Sequence, residues 1–191
     1  MRARLRLVFP MLLLAACSDA DPIGIHVQLQ ADGSGVVTCR SLQMVDAPGP
    51  LETDSGGVQW QQRARLFASR GTFQSVGDIR LADIVFKRTG ENSLRLQLPR
   101  GPQATWHALL APTAEGRDAA ASVLDPARPA TAVGSTIRIE VQAPDLVTAV
   151  GHAPPVRMAK SDKDGRSALL WVPVDAARSA GDPLVFDLTW R

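Results

Sequence analysis

The stretch IGIHVQLQADGSGVVTCRSLQMV, residues 23–45, decides the fold. Ile23, Ile25, Val27 and Leu29 alternate with Gly24, His26, Gln28 and Gln30. A period of two puts one face of a strand in a core and turns the other toward solvent. Ala31-Asp32-Gly33-Ser34-Gly35 follows, supplying glycines for a turn, and Val36 to Val45 reads as the returning strand. The mature domain therefore opens with a β-hairpin.

Working outward toward the C-terminus, Asp46 to Gly57 is rich in turn residues and reads as a loop. Residues 58–70 read two ways: Val58, Trp60, Ala64 and Leu66 can be taken as strand alternation, but Gln59, Gln61, Gln62, Arg63, Ala64, Arg65 and Leu66 are mostly helix formers, and the balance leans to helix. Trp60, Ala64 and Phe67 fall on one helical face, and Gly71 stands where a helix would stop. A second hairpin is expected from Ile79–Lys87 and Ser93–Pro99 around Thr89-Gly90-Glu91-Asn92, with Leu94, Leu96 and Leu98 in clean alternation. Short helices fit Trp106 to Leu110 and Ala119 to Leu124, and Asp125 to Ser135 reads as a connection. Strands return at Ile137 to Ala143, ended by Pro144-Asp145, and at Leu169 to Val174. The latter is apolar on both faces, as a central strand would be. Asp175 is placed to cap a turn through Ala180, and Leu184, Phe186, Leu188 and Trp190 mark a last strand. With no internal repeat, residues 23–191 predict a single α+β domain of antiparallel strands and hairpins with one to three short helices.

Toward the N-terminus the pattern changes. Residues 1–16, MRARLRLVFPMLLLAA, carry Arg2, Arg4 and Arg6 before an apolar run from Leu7 to Ala16. That run is too short for a transmembrane helix, which needs about 20 apolar residues, but suits a secretory signal. It ends in Leu14-Ala15-Ala16-Cys17, which resembles the lipobox of bacterial lipoproteins. Small residues at Ala15 and Ala16 admit the signal peptidase, and only the Cys17 thiol can form a thioether to diacylglycerol. The expected organisation is a signal peptide over 1–16, an acylated tether over 17–22 and the exported domain beyond it. The anchor would be the acyl chains, palmitate among them, on Cys17, giving the bilayer as the first partner. Five residues separate Cys17 from Ile23, a reach of about 20 Å at full extension. The domain is thus expected at the membrane surface of a bacterial cell envelope. Ser18 lacks the aspartate that enteric sorting reads as inner-membrane retention, while Asp19 stands one place later, so the leaflet stays open.

The whole chain of 191 residues has 21 basic and 19 acidic residues, for a formal charge of +2. Removing the signal takes away three arginines and no acid, leaving a net charge of −1. By its net charge the mature protein has no electrostatic reason to seek nucleic acid or anionic lipid. The 15 glycines and 14 prolines suit a loop-rich strand domain, and the 45% hydrophobic content suffices for a core. Of two cysteines, Cys39 has no partner once Cys17 is acylated. It is expected to pack as a small apolar residue in its strand.

The lipobox, the Asp32-Gly33-Ser34-Gly35 hairpin and the C-terminal segments together resemble bacterial envelope lipoproteins of the LppM-like type. Those segments are Ile137 to Pro144, Val147, Val150-Gly151-His152, Leu170-Trp171-Val172-Pro173 and Leu184 to Trp190. The resemblance implies an exported α+β domain without established catalytic residues. The chain departs from that pattern at Asp145, where glycine is usual, and in having no C-terminal apolar helix.

No catalytic motif stands out. His26, His107 and His152 form no H-x-x-x-H pair and no zinc-like cluster with cysteine. His26, on the polar side of the first strand, reads as solvated. Ser161-Asp162-Lys163-Asp164-Gly165 superficially suits calcium but lacks the later ligands, and reads as a hairpin tip. Neither a nucleophile elbow nor a phosphate loop is present. No cofactor and no metal is therefore expected. Trp60, Trp106, Trp171 and Trp190 read mainly as core, with an apolar groove for a lipid or glycan as the second reading. The expected function is non-catalytic binding of a hydrophobic ligand or an envelope protein near the membrane. An enzyme or metal-dependent module assembled only in three dimensions, or a purely structural envelope protein, stands as the alternative.

Overall fold

A computed structural model describes residues 23–45, 63–111, 134–152, 157–160 and 164–191. The signal, Cys17 and its tether, the 46–57 loop, Trp60, the Ala119–Leu124 helix, most of the 125–135 connection and the 161–163 part of the hairpin tip lie outside the described residues.

The opening hairpin forms as its alternation requires. Strand β1 (Gly24–Leu29) pairs antiparallel with β2 (Gly35–Val45) in a register that sets Gly24 opposite Arg40 and Leu29 opposite Gly35. In the turn, Gly33 takes φ +86°, and the Asp32 carboxylate accepts the backbone N–H and hydroxyl of Ser34. Such an Asx turn needs a residue that tolerates positive φ at its centre.

The predicted helix over 58–70 is not formed in its described part. Residues 63–73 are strand β3 (Arg63–Phe73), paired antiparallel with β2 along its whole length. Helix propensities differ by only tenths of a kcal/mol per residue. An eleven-residue partner strand that satisfies the backbone hydrogen bonds overrides such a preference.

A single 3-10 turn at Val76–Asp78 follows, with the Asp78 carboxylate accepting the backbone N–H of Ser75. The second hairpin is shorter than its sequence pattern. Strand β4 (Val85–Gly90) starts six residues later than expected from Ile79, and β5 (Ser93–Leu98) returns after Glu91-Asn92. Ile79 and Ile84 are buried without extended pairing, because a Leu81–Ile84 bridge and Ala82 at φ +49° fold that segment into a tight corner. Helix α1 (Trp106–Leu110), β6 (Thr136–Gln142), β7 (Val147–His152), β8 (Arg157–Lys160), β9 (Ser167–Pro173), helix α2 (Val174–Arg178) and β10 (Leu184–Trp190) complete the order. Strands β7 and β8 carry too little alternation to stand out in the sequence.

These strands make a six-stranded sheet, β3-β2-β1-β6-β9-β8, and a four-stranded sheet, β4-β5-β10-β7. The pairings are antiparallel except between β1 and β6, which run parallel. This corrects the expectation of antiparallel strands. Between β2 and β6 the chain crosses to build part of the other sheet, and it returns alongside β1 in the same direction. Strand β9 lies inside its sheet, between β6 and β8, as its double-sided apolarity requires. Inward residues of both sheets meet in one core that includes Ile25, Val27, Leu94, Leu96, Ile139, Val141, Leu170, Phe186 and Leu188. The fold is strand-rich, with two sheets and few short helices among the described residues. No helix among those residues is long and apolar enough to cross a membrane.

Candidate functional site

The outward face of the six-stranded sheet carries the site, and register alone builds it. Gly24 on β1 stands between Arg40 of β2 and Arg138 of β6, and the next outward residue, His26, stands between Thr38 and Glu140. Neighbouring strands lie about 4.8 Å apart, so the two arginine backbones flank Gly24 at about 10 Å from each other. A hollow of about 300 Å³ is lined by all six of these residues. A Cβ at Gly24 would come within 2.3 Å of the Arg138 carbonyl oxygen, so glycine is required by the close approach of β6. Arg70 of β3, exposed, stands opposite Thr38 and extends the row of polar residues.

Within the hollow, an Arg138 Nη2–H donates to Glu140 Oε2 at 2.8 Å. Both side chains are partly buried, at 29% and 25% exposure. The Glu140 carboxylate is thus engaged by its strand neighbour rather than by His26. The Nε–H of Arg138 is buried and has no acceptor among the described residues. Arg40 is exposed and His26 half-buried. The arrangement offers donors: two guanidiniums, an imidazole and a hydroxyl against one carboxylate that is already paired.

The residues singled out in the sequence are dispersed. Trp106 is 1% exposed, its indole N–H donating to the Pro99 carbonyl at 2.8 Å, and Trp190 is buried at the end of β10. Trp171 is half-buried on the outward face of β9, opposite Arg138. The three described tryptophans therefore do not line one groove. Alternation decides this: Trp171 shares the parity of the outward Leu169, while Trp190 shares that of the inward Phe186 and Leu188.

His107 is buried on α1, with Nε2 at 3.2 Å from the Gly101 carbonyl oxygen and its ring edge-on to Trp106 at 5.8 Å. His152 is exposed at the end of β7, opposite Phe186. Of the three histidines only His26 reaches the hollow, where it is half-buried rather than simply solvated. No group of three His, Cys, Asp or Glu residues that could hold a metal occurs among the described residues. Cys39 is a free thiol packed against the core, and burial pushes its pKa up.

Thr38, Arg40, Arg138 and Glu140 carried no signal when read along the chain. Each is an ordinary outward residue of a half-buried strand. A usable hint was the pair of glycine and histidine on the polar face of a strand otherwise built for pairing. The chain matches no family model, no curated protein and no solved structure.

Proposed function

We propose that this chain is a bacterial envelope lipoprotein, anchored through acylated Cys17, whose domain works by binding at the membrane surface rather than by catalysis. Its fold, dominated by strands, sits at the β-rich end of the α+β class. One observation carries the proposal: a basic start, a short apolar run and Leu14-Ala15-Ala16-Cys17 occur in order, with five residues between Cys17 and the buried Ile23. The tether meets the domain at β1, the strand that floors the hollow. An extended tether of about 20 Å keeps that end of the sheet near the headgroups. The ligand side is accordingly polar at the hollow, and the buried tryptophans serve the core instead of a hydrophobic ligand. An envelope protein seated on the same face is compatible with this placement.

The test is mass spectrometry of the full chain expressed in a bacterium and recovered from membranes. A mature N-terminus at Cys17 carrying a diacylglyceryl thioether supports the proposal, and Cys17→Ser abolishes both the cleavage and the lipid. A soluble chain with a mature N-terminus elsewhere overturns it.

A second reading, acid–base chemistry, is favoured by the register that sets His26 beside Glu140. Glu140 is held by Arg138, so His26 would serve as the base without a carboxylate partner. Turnover of an ester or phosphoester panel that disappears in His26→Ala, with the fold retained, would support it over binding.

A further inference from the structure

We infer that the hollow over Gly24 is an anion site that takes a phosphate group between Arg40 and Arg138, which deepens the membrane-surface binding proposed above by naming its ligand class. Three observations point the same way. First, Arg40 and Arg138 stand on either side of a residue with no side chain. An anion can settle against the sheet there and be reached by a guanidinium from each side. Guanidinium groups match phosphate oxygens with paired N–H donors, and such charge-assisted bonds are about twice as strong as neutral ones.

Second, the buried Nε–H of Arg138 has no acceptor among the described residues. Buried donors of folded proteins are nearly always paired, so Arg138 keeps donor capacity that an added acceptor can use. Glu140 engages the same edge of that guanidinium through Nη2, orienting it while neutralising the only carboxylate among the residues lining the hollow. Third, the remaining polar groups, His26 and Thr38, are able to donate, and Arg70 follows in register beyond Thr38. A volume of about 300 Å³ is at the small end of ligand pockets, enough for a phosphate and the group it is esterified to.

The phosphate could belong to a phospholipid headgroup brought close by the anchor, or to a soluble phosphate. The experiment separates these sources. The full lipidated chain in zwitterionic detergent is titrated with inorganic phosphate at fixed ionic strength while the arginine Nε–H resonances are followed by NMR. Saturable movement of the Arg138 signal is expected, and Arg40→Gln should weaken the affinity about tenfold, the scale of one charge-assisted bond. Arg40→Lys, which keeps the charge but not the paired donors, should fall between. A linear, unsaturating response, or an affinity unchanged in Arg40→Gln with the circular dichroism intact, overturns the inference. Vesicles of phosphatidylglycerol then replace the detergent. If they move the Arg138 signal without added phosphate, and phosphatidylcholine vesicles do not, the anion site is supported with a lipid source. If neither does while inorganic phosphate still binds, the site is supported with a soluble source. Absence of the Cys17 lipid in the mass spectrum would overturn the anchoring alone, since the phosphate titration does not depend on it.

Discussion

Asp83→Ala should lower the stability of the domain by about 1–1.5 kcal/mol, and it should do so only while the native carboxylate is ionised. Asp83 lies in the corner before β4, far in sequence from the helix it caps. Its Oδ2 accepts the backbone N–H of Thr105 at 2.9 Å and its Oδ1 that of Trp106 at 2.8 Å. These are two of the N–H groups that the first turn of α1 cannot satisfy internally. Loss of a helix cap costs about 0.5–2 kcal/mol. Two bonds argue for the upper part of that range, while the partial exposure of the carboxylate argues against its limit. For a domain of this size, 1 kcal/mol corresponds to about 2–4 °C in Tm, so the melting temperature followed by circular dichroism should drop by about 2–6 °C.

The pH dependence supplies the sharper check. Burial alone would raise the Asp83 pKa, but the N–H donors of Thr105 and Trp106 outweigh it and hold the pKa below the ordinary 3.8. A carboxylate with a depressed folded pKa stabilises fully above its unfolded value and loses that contribution as pH falls through the folded one. The gap between native protein and Asp83→Ala should therefore be complete above about pH 4 and shrink at lower pH. Asp83→Asn, which presents one oxygen and one NH₂ group to the two donors, should cost nearly as much as alanine. A gap that stays constant into strong acid would show that the loss comes from packing, and the capping account would be wrong.

Three further outcomes are expected. Gly24→Ala places a Cβ 2.3 Å from the backbone oxygen of Arg138 and must push β6 away from β1; a loss of about 1–3 kcal/mol in urea denaturation is expected, and a neutral result would mean that the strand pair yields freely. Trp106→Phe removes the donor to the Pro99 carbonyl from a side chain that is 1% exposed; a destabilisation of about 2–3 kcal/mol is expected, and a change within error in guanidinium denaturation would contradict that role. Because burial raises the Cys39 pKa above its ordinary 9.0, the thiol should be protonated at neutral pH and alkylate far more slowly in the native chain than in the denatured one; equal rates would show that it is accessible and reactive.

Local patterns were legible wherever a single strand or turn carried its own signal. The alternation of Ile25, Val27 and Leu29, of Leu94, Leu96 and Leu98, and of Leu184, Phe186 and Leu188 reads directly as burial, because the side-chain period of a strand is a property of the chain itself. Asp32-Gly33-Ser34 likewise names its own turn. The segment around 63–70 misled for the opposite reason. Its helix formers express a weak local preference, and the pairing of β3 with β2 that overrides it is invisible until both strands are in place.

The hollow belongs wholly to tertiary structure. Gly24, Arg40 and Arg138 become neighbours only because β6 returns parallel to β1 after the chain has contributed to the second sheet. Sequence determines which face of each strand is polar, since that follows from alternation along one segment. It does not determine which polar faces adjoin, since strand order is chosen by the burial of all the apolar faces at once. The same division separates the tryptophans: each lies in an apolar run, yet parity and strand position put Trp106 and Trp190 in the core and Trp171 outside it.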